Sequence, residues 1–435
     1  MTFLQSLLVT TNIMNSEGSD FADDIIQDKL PAHTEPPRDQ FLPWHRVRKE
    51  YIRRFQWNAL TARMVKGSWR RQLHQPEREW SLEDQPDDEL QVPEDVLLQR
   101  ALSCLMIPGE DLLDVRALWR DVQALNCTIR YLGFNEGQGS AEEGTRVHVS
   151  NNAVTSLPGI IRDSCVVQDR FEAIASQDSQ AYHYLMTYGP YHVVNLDLCG
   201  SMFPNTAKDV GKYYDALLSL LTYQFAHQKT EWLLFITTMV EPSVVHADEL
   251  KKLCGPICDN YHRYTDFAEQ VGRLIPAEAF PASEPTMCLS ALSEEQLLSL
   301  FGVAFGKWLL ALCRNAHPQW TIAMRRSYRY SIKKEKGAVM LSLAFELKPN
   351  VAPPVDSTGM AKVAQPAKKV PDERECALKL TESVANIRDV DRELASQPDL
   401  RAALLEAKAK LLESAGYDRA AYVRWVSDGE MVLSK

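Results

Sequence analysis

Between residues 96 and 348, short apolar runs take turns with segments of helical period, and that alternation limits the fold more than any other feature of the chain. LSCLMIPG (102–109) is an apolar run stopped by Pro-Gly. EDLLDVRALWRDVQAL (110–125) then places apolar residues at 112, 115, 118, 119, 122 and 125, the period of one helix face. CTIRYLGFNE (127–136), SCVVQD (164–169), YHVVNLD (191–197) and EWLLFITTMV (231–240) are further strand-like runs. The spacing predicts helices near 152–162, over SQAYHYLMTYG, over 208–228 and across 246–315. TIAMRRSYRYSIKKEKGAVMLSLAFELK closes the region as two strands about a Lys-Gly turn. Strands joined by crossover helices predict an α/β fold: a doubly wound, mostly parallel sheet with a closing antiparallel hairpin.

Three of the strand-like runs end in an acid: Glu136, Asp169 and Asp197. Ligands of doubly wound sheets bind outside the carboxyl ends of the strands, at the topological switch point, so these carboxylates are expected to share one crevice. With the five β/α units and the closing hairpin, this pattern resembles the class I S-adenosylmethionine-dependent methyltransferases over roughly residues 98–348. The resemblance implies that Glu136 grips the cofactor ribose, that Asp169 meets the adenine amino group, and that Asp197 faces the reacting group as the catalytic residue. Gly109 and Glu110, after the first strand, would meet the methionine end of the cofactor. A solvated loop acid or a turn cap is the competing reading at each of these positions.

The fourth-strand stretch LDLCGS, with FITTM ending the fifth strand, is similar to the tRNA guanine dimethyltransferases, whose motif reads Asp-Pro-Phe-Gly-Ser. Leu198 stands where that motif has proline, and Cys199 where it has an aromatic that stacks on the base. The first-strand turn also departs, offering one glycine, Gly109, where relatives carry several. Two functions are therefore open. One is an S-adenosylmethionine-binding, methyltransferase-like enzyme acting on or binding nucleic acid. The other is a catalytically inactive methyltransferase fold serving as a nucleic-acid or protein-binding module in a larger assembly.

A net charge of −10 argues against a general polyanion coat, so any nucleic-acid contact needs a local patch. Residues 43–73 supply one, with nine Lys/Arg against a single Glu and with Trp44, Trp57 and Trp69 interleaved. Arg46, Arg48, Lys49, Arg53 and Arg54 are expected to meet phosphates, and Trp57 to stack on unpaired bases. The competing reading docks this segment on the acidic domain, its arginines paired internally. Arg325, Arg326 and Arg329, with Lys333, Lys334 and Lys336, add positive charge around the closing hairpin.

The predicted organisation is a tail over 1–40, the basic aromatic segment and an acidic linker over 41–95, the methyltransferase-like domain over 96–348, a linker over 349–371 and a helical region over 372–435. The C-terminal helices offer a second surface for a protein partner. Nine scattered cysteines read as buried thiols of a reducing, cytoplasmic compartment. Cys254, Cys258 and His262 are spaced four apart, with His246 the nearest fourth ligand, but Pro256 interrupts them and no metal is expected. No run of 18 apolar residues is present, so no membrane span is expected.

Overall fold

A computed structural model describes residues 37–69, 101–136, 141–205, 211–280, 289, 292–332, 339–350 and 371–431. Most of the 1–40 segment, the acidic stretch 76–95, residues 351–370 of the linker, part of the Gly-rich loop, and Lys333, Lys334 and Lys336 lie outside the described residues.

Five strands are parallel: β1 (Leu102–Met106), β2 (Ile129–Phe134), β3 (Cys165–Val167), β4 (Val193–Asp197) and β5 (Trp232–Met239). β1 and β5 read as continuous apolar runs because both faces of a parallel sheet are covered. The order β3-β2-β1-β4-β5 puts the switch point between β1 and β4. The closing unit has three strands rather than two. β8 (Val339–Pro349) lies antiparallel to β5 and also pairs with β6 (Trp320–Met324) and β7 (Tyr328–Ser331). Arg325, Arg326 and Ser327 interrupt the strand expected there. A two-residue strand, β9 (Arg388–Asp389), extends the far edge. This is a Rossmann-like sheet, parallel over five strands and closed by antiparallel ones, as the alternation predicted.

One helix from the segment expected over 41–95 packs directly on the sheet. Residues 47–66 form α1, with α-helical turns at Val47–Ile52 and Ala59–Met64 and a wider π-helical turn at Arg53–Asn58; Gly67, at φ −86° and ψ −128°, breaks the helix. Val47, Ile52, Trp57, Leu60 and Met64 are buried with Met106, Val193, Phe235 and Tyr328 from the sheet. Each such side chain contributes on the order of 1.5–3 kcal/mol, so α1 is part of the core and not an appended arm. The same face carries α2 (Leu113–Gln123) and α3 (Ala141–Thr155). α3 starts well before the expected 152 and absorbs the end of the Gly-rich loop.

The other face carries α4 (Gln180–Tyr188), α5 (Lys212–His227), α6 (Ala247–Arg263), α7 (Thr265–Gly272) and α8 (Glu294–Asn315). α6 runs straight through Pro256, against expectation, and His246 caps its first turn by accepting from the Glu249 amide. By length and composition α8 is apolar enough to cross a membrane, but 78% of that stretch is buried inside the protein, which makes it a core helix. Four cysteines (104, 254, 258 and 313) are buried as expected, whereas Cys199 is exposed.

The C-terminal region folds back on both faces. α9 (Glu373–Ala385) packs on α8, where Cβ atoms built at Gly302 and Gly306 would meet Val384 and Leu380 at 3.2 and 3.3 Å. α10 (Val390–Ser396) follows β9, and α11 (Pro398–Glu413) lies across α1 and α2. Gly416, at φ +86°, stops α11 before α12 (Arg419–Met431).

Candidate functional site

The carboxyl edge of the sheet brings Glu136, Asp169 and Asp197 to one side of the molecule, as expected from their strand ends. The parallel register keeps β1 between β2 and β4, so the turn after β1 lies among them. What the sequence does not show is that each acid already faces a partner from this same chain.

Asp197 ends β4 opposite Thr237 of β5. Its own loop is stitched to β5: the Leu198 amide donates to Thr237 O (2.9 Å), and the Met202 amide to Thr238 Oγ1 (2.7 Å). The paired threonines thus fix the loop. Leu198 is buried in the core, so the proline position serves packing. The Asp197 carboxylate accepts from Lys49 Nζ of α1. That ammonium lies 3.3 Å from the Tyr330 hydroxyl and 5.1 Å from the centre of the Trp57 ring. The side chains are 8% and 15% exposed for Lys49 and Asp197, so the pair is nearly dry. Burial pushes the Asp197 carboxyl above its ordinary value against the pull of Lys49. For Lys49 burial acts downward, but the Asp197 charge outweighs it and the ammonium is held more tightly than a free lysine.

The turn after β1 is closed in the same way. Asp111 Oδ1 accepts from Arg38 (2.6 Å), and Oδ2 from the Tyr417 hydroxyl (2.7 Å). Arg38 also forms a parallel bridge with Tyr417, donating from its amide to Gly416 O (3.0 Å). The last residues of the expected 1–40 tail are therefore fixed in place. Asp114, in the first turn of α2, accepts from Arg53 Nε (2.6 Å), and Arg116 donates to Ser414 O (3.0 Å). Leu112, a non-glycine at φ +50°, caps α2 with its side chain fully buried. The Asn135 amide holds Pro108 O (2.8 Å).

The edge at β2 and β3 is open. Glu136 pairs with Arg170, both nearly half exposed, and Asp169 accepts from the Arg170 amide (2.7 Å). Glu110 pairs with Arg146 at 3.3 Å, and Gly109 is exposed with nothing near its missing side chain. Glu136 and Asp169, expected on the nucleoside side, lie exposed at this edge against Arg170. On the methionine side Gly109 is exposed, but beyond it the residues do not fit S-adenosylmethionine, because Asp111 and the start of α2 are already covered by Arg38, Tyr417 and Ser414.

The six residues expected at a nucleic-acid surface are largely inward. Trp57 (3% exposed) and Arg53 (3%) are core residues, and Lys49 is held by Asp197. Arg48 pairs with Asp391 of α10, and Arg46 lies 5.2 Å from the Trp425 ring of α12. Arg54 is half-buried against Phe55. The reason is geometric. The π-helical turns at Arg53–Asn58 rotate Arg53, Gln56, Trp57 and Asn58 together toward the core. There Gln56 bonds Ser342 O (2.9 Å) and Arg326 O (3.0 Å), and Asn58 bonds Asp121 (2.7 Å). No periodicity count finds this, because the period itself changes within the helix.

A family model described as PP_RS20740-like matches residues 38–427, nearly the whole described span. No curated protein matches the chain. Among solved structures, an rRNA methylase from Streptococcus thermophilus is matched at 7% identity, covering 59% of this chain and 93% of that one, with a TM-score of 0.28. At that TM-score the fold assignment rests on strand order and register alone.

Proposed function

Starting from a chain that belongs to the PP_RS20740-like family and has a methyltransferase-like fold, we propose that it is a catalytically silent module that binds a partner and transfers no methyl group. One observation carries this reading: the fourth-strand carboxylate, Asp197, is the counter-ion of Lys49 from the same chain. A carboxylate meant to accept an amine from a substrate would have to release an ammonium that is flanked by Trp57 and Tyr330 and tied to a core helix. Removing one partner of a buried pair costs about 3–5 kcal/mol, so that exchange is steeply uphill. The second reading, a cofactor-binding enzyme, is favoured by the exposed Glu136 and the open space at Gly109. The partner of the silent module is better sought among proteins than nucleic acids, since Arg48, Lys49 and Arg53 of α1 are engaged within the chain.

A double-mutant cycle with Lys49→Met and Asp197→Asn, followed by urea unfolding, tests the observation itself. A coupling of about 2–3 kcal/mol is expected for a structural pair. A coupling near zero, with methyl transfer lost on Asp197→Asn, would return Asp197 to an active site.

A further inference from the structure

Where α11 crosses α1 and α2, four buried polar atoms have no hydrogen-bond partner among the described residues: His45 Nε2, Glu50 Oε2, Arg53 Nη1 and Lys408 Nζ. They belong to one cluster. Arg53 Nη1 and Glu50 Oε2 form an ion pair at 3.6 Å without a hydrogen bond, and the neutral His45 Nε2 lies 3.9 Å from Asp111. His45 Nδ1 accepts from the Leu42 amide (3.2 Å), so the neutral ring carries its proton on the unpartnered Nε2. Lys408 is fully buried in the middle of α11. Buried polar groups in a permanent interface are nearly always satisfied, and each that is not costs about 1–3 kcal/mol. Around them the arm also makes sound contacts: Leu404, Leu411, Leu412 and Tyr422 are buried, and the Tyr422 hydroxyl donates to His45 O (2.7 Å).

From this mixture we infer that residues 398–431 are an arm that opens, a lid formed by the chain itself over the turn after β1. Closed, it places Tyr417 on Asp111 and Ser414 on Arg116, covering the first turn of α2. Open, it takes Tyr417 off Asp111 and Ser414 off Arg116, uncovering that helix start, while the sheet stays folded, because α9 and α10 hold to α8 and β7 by separate contacts. The unpartnered Lys408 amine weakens the closed form, and the apolar contacts keep it the resting one. The inference stands apart from whether the module is silent, since it concerns access and not chemistry.

Protonation gives the arm a direction. The groups facing Lys408 are Glu50 and Arg53 of α1, Asp111 of the β1 turn and Asp114 of α2; His45 faces Lys408, Arg53 and Arg38. Burial, reinforced by Arg53, lowers Lys408 well below an ordinary lysine, and burial with Lys408 lowers His45 to about 2. Both therefore bind fewer protons closed than open. Closure gains stability as pH rises toward the ordinary lysine value, and His45 withdraws stability as pH falls below about 6.5.

Hydrogen exchange by mass spectrometry on the full chain tests this. Corrected for intrinsic rates, residues 398–431 should exchange at least about tenfold faster than β4 and β5, and faster at pH 6 than at pH 8. Lys408→Met, which replaces the unpartnered amine with an apolar side chain, should slow exchange in the arm, raise Tm and flatten the pH response. Arm exchange as slow as that of β4 in the parent protein would overturn the inference without any variant. So would a Lys408→Met protein that melts lower, because the amine would then have a partner that matters.

Discussion

At Asp197 and Glu136 a carboxylate at equivalent strand ends is put to different use, and burial decides which. Glu136 and Arg170 are nearly half exposed, so solvent screens their attraction. Glu136→Ala should change unfolding free energy by no more than about 1 kcal/mol. Arg53 is the opposite case. Fully buried between Asp114 and Glu50, it has its guanidinium charge held more firmly than in water, burial being outweighed by Asp114 first and Glu50 second. Arg53→Met strands both acids in the interior and should cost about 3–5 kcal/mol in urea unfolding. The acids were legible in the sequence because strand ends are. Their partners were not: Lys49 lies 148 residues from Asp197, and Tyr417 lies 306 residues from Asp111. No local pattern links residues so distant.

Among the elements, β1 to β5 and the helices α2, α4 and α5 lie where apolar period places them, since each buries a continuous stripe. α1 was legible as a helix, but whether it faces a nucleic acid or docks on the acidic domain stayed open, because its positive charge fits either until the facing acids are known. Reversing Arg48 and Arg54 to Glu should leave RNA retention in a mobility-shift assay, and its salt dependence, unchanged. A flattened salt slope would place phosphates on α1 after all. The docking of α9 was hidden for another reason, since two glycines in a long apolar helix announce no neighbour. Gly306→Ala should be tolerated, because a Cβ at 3.3 Å from Leu380 needs only a small shift and alanine favours the helix. Gly306→Leu should cost about 1–3 kcal/mol in thermal unfolding by forcing α9 off α8.

For the molecule as a whole, the fold predicts a crevice and the chain largely fills it. The sheet order creates a ligand position at the carboxyl ends of β1, β2 and β4. α1 then supplies Lys49 to one side of it, and the two ends of the described chain supply Arg38 and Tyr417 to another. Among the described residues, Glu136 and Arg170 at the β2 and β3 edge stay nearly half exposed. A fold class can be read from alternation along a sequence, but occupancy of its site depends on segments outside the alternating region. Titration calorimetry of the full chain with S-adenosylmethionine at millimolar concentration measures this most directly. The account predicts no saturable heat, for the cofactor or for its demethylated product. Saturable binding with a Kd below about 100 μM, abolished by Glu136→Ala, would contradict it and make the chain a cofactor-binding methyltransferase.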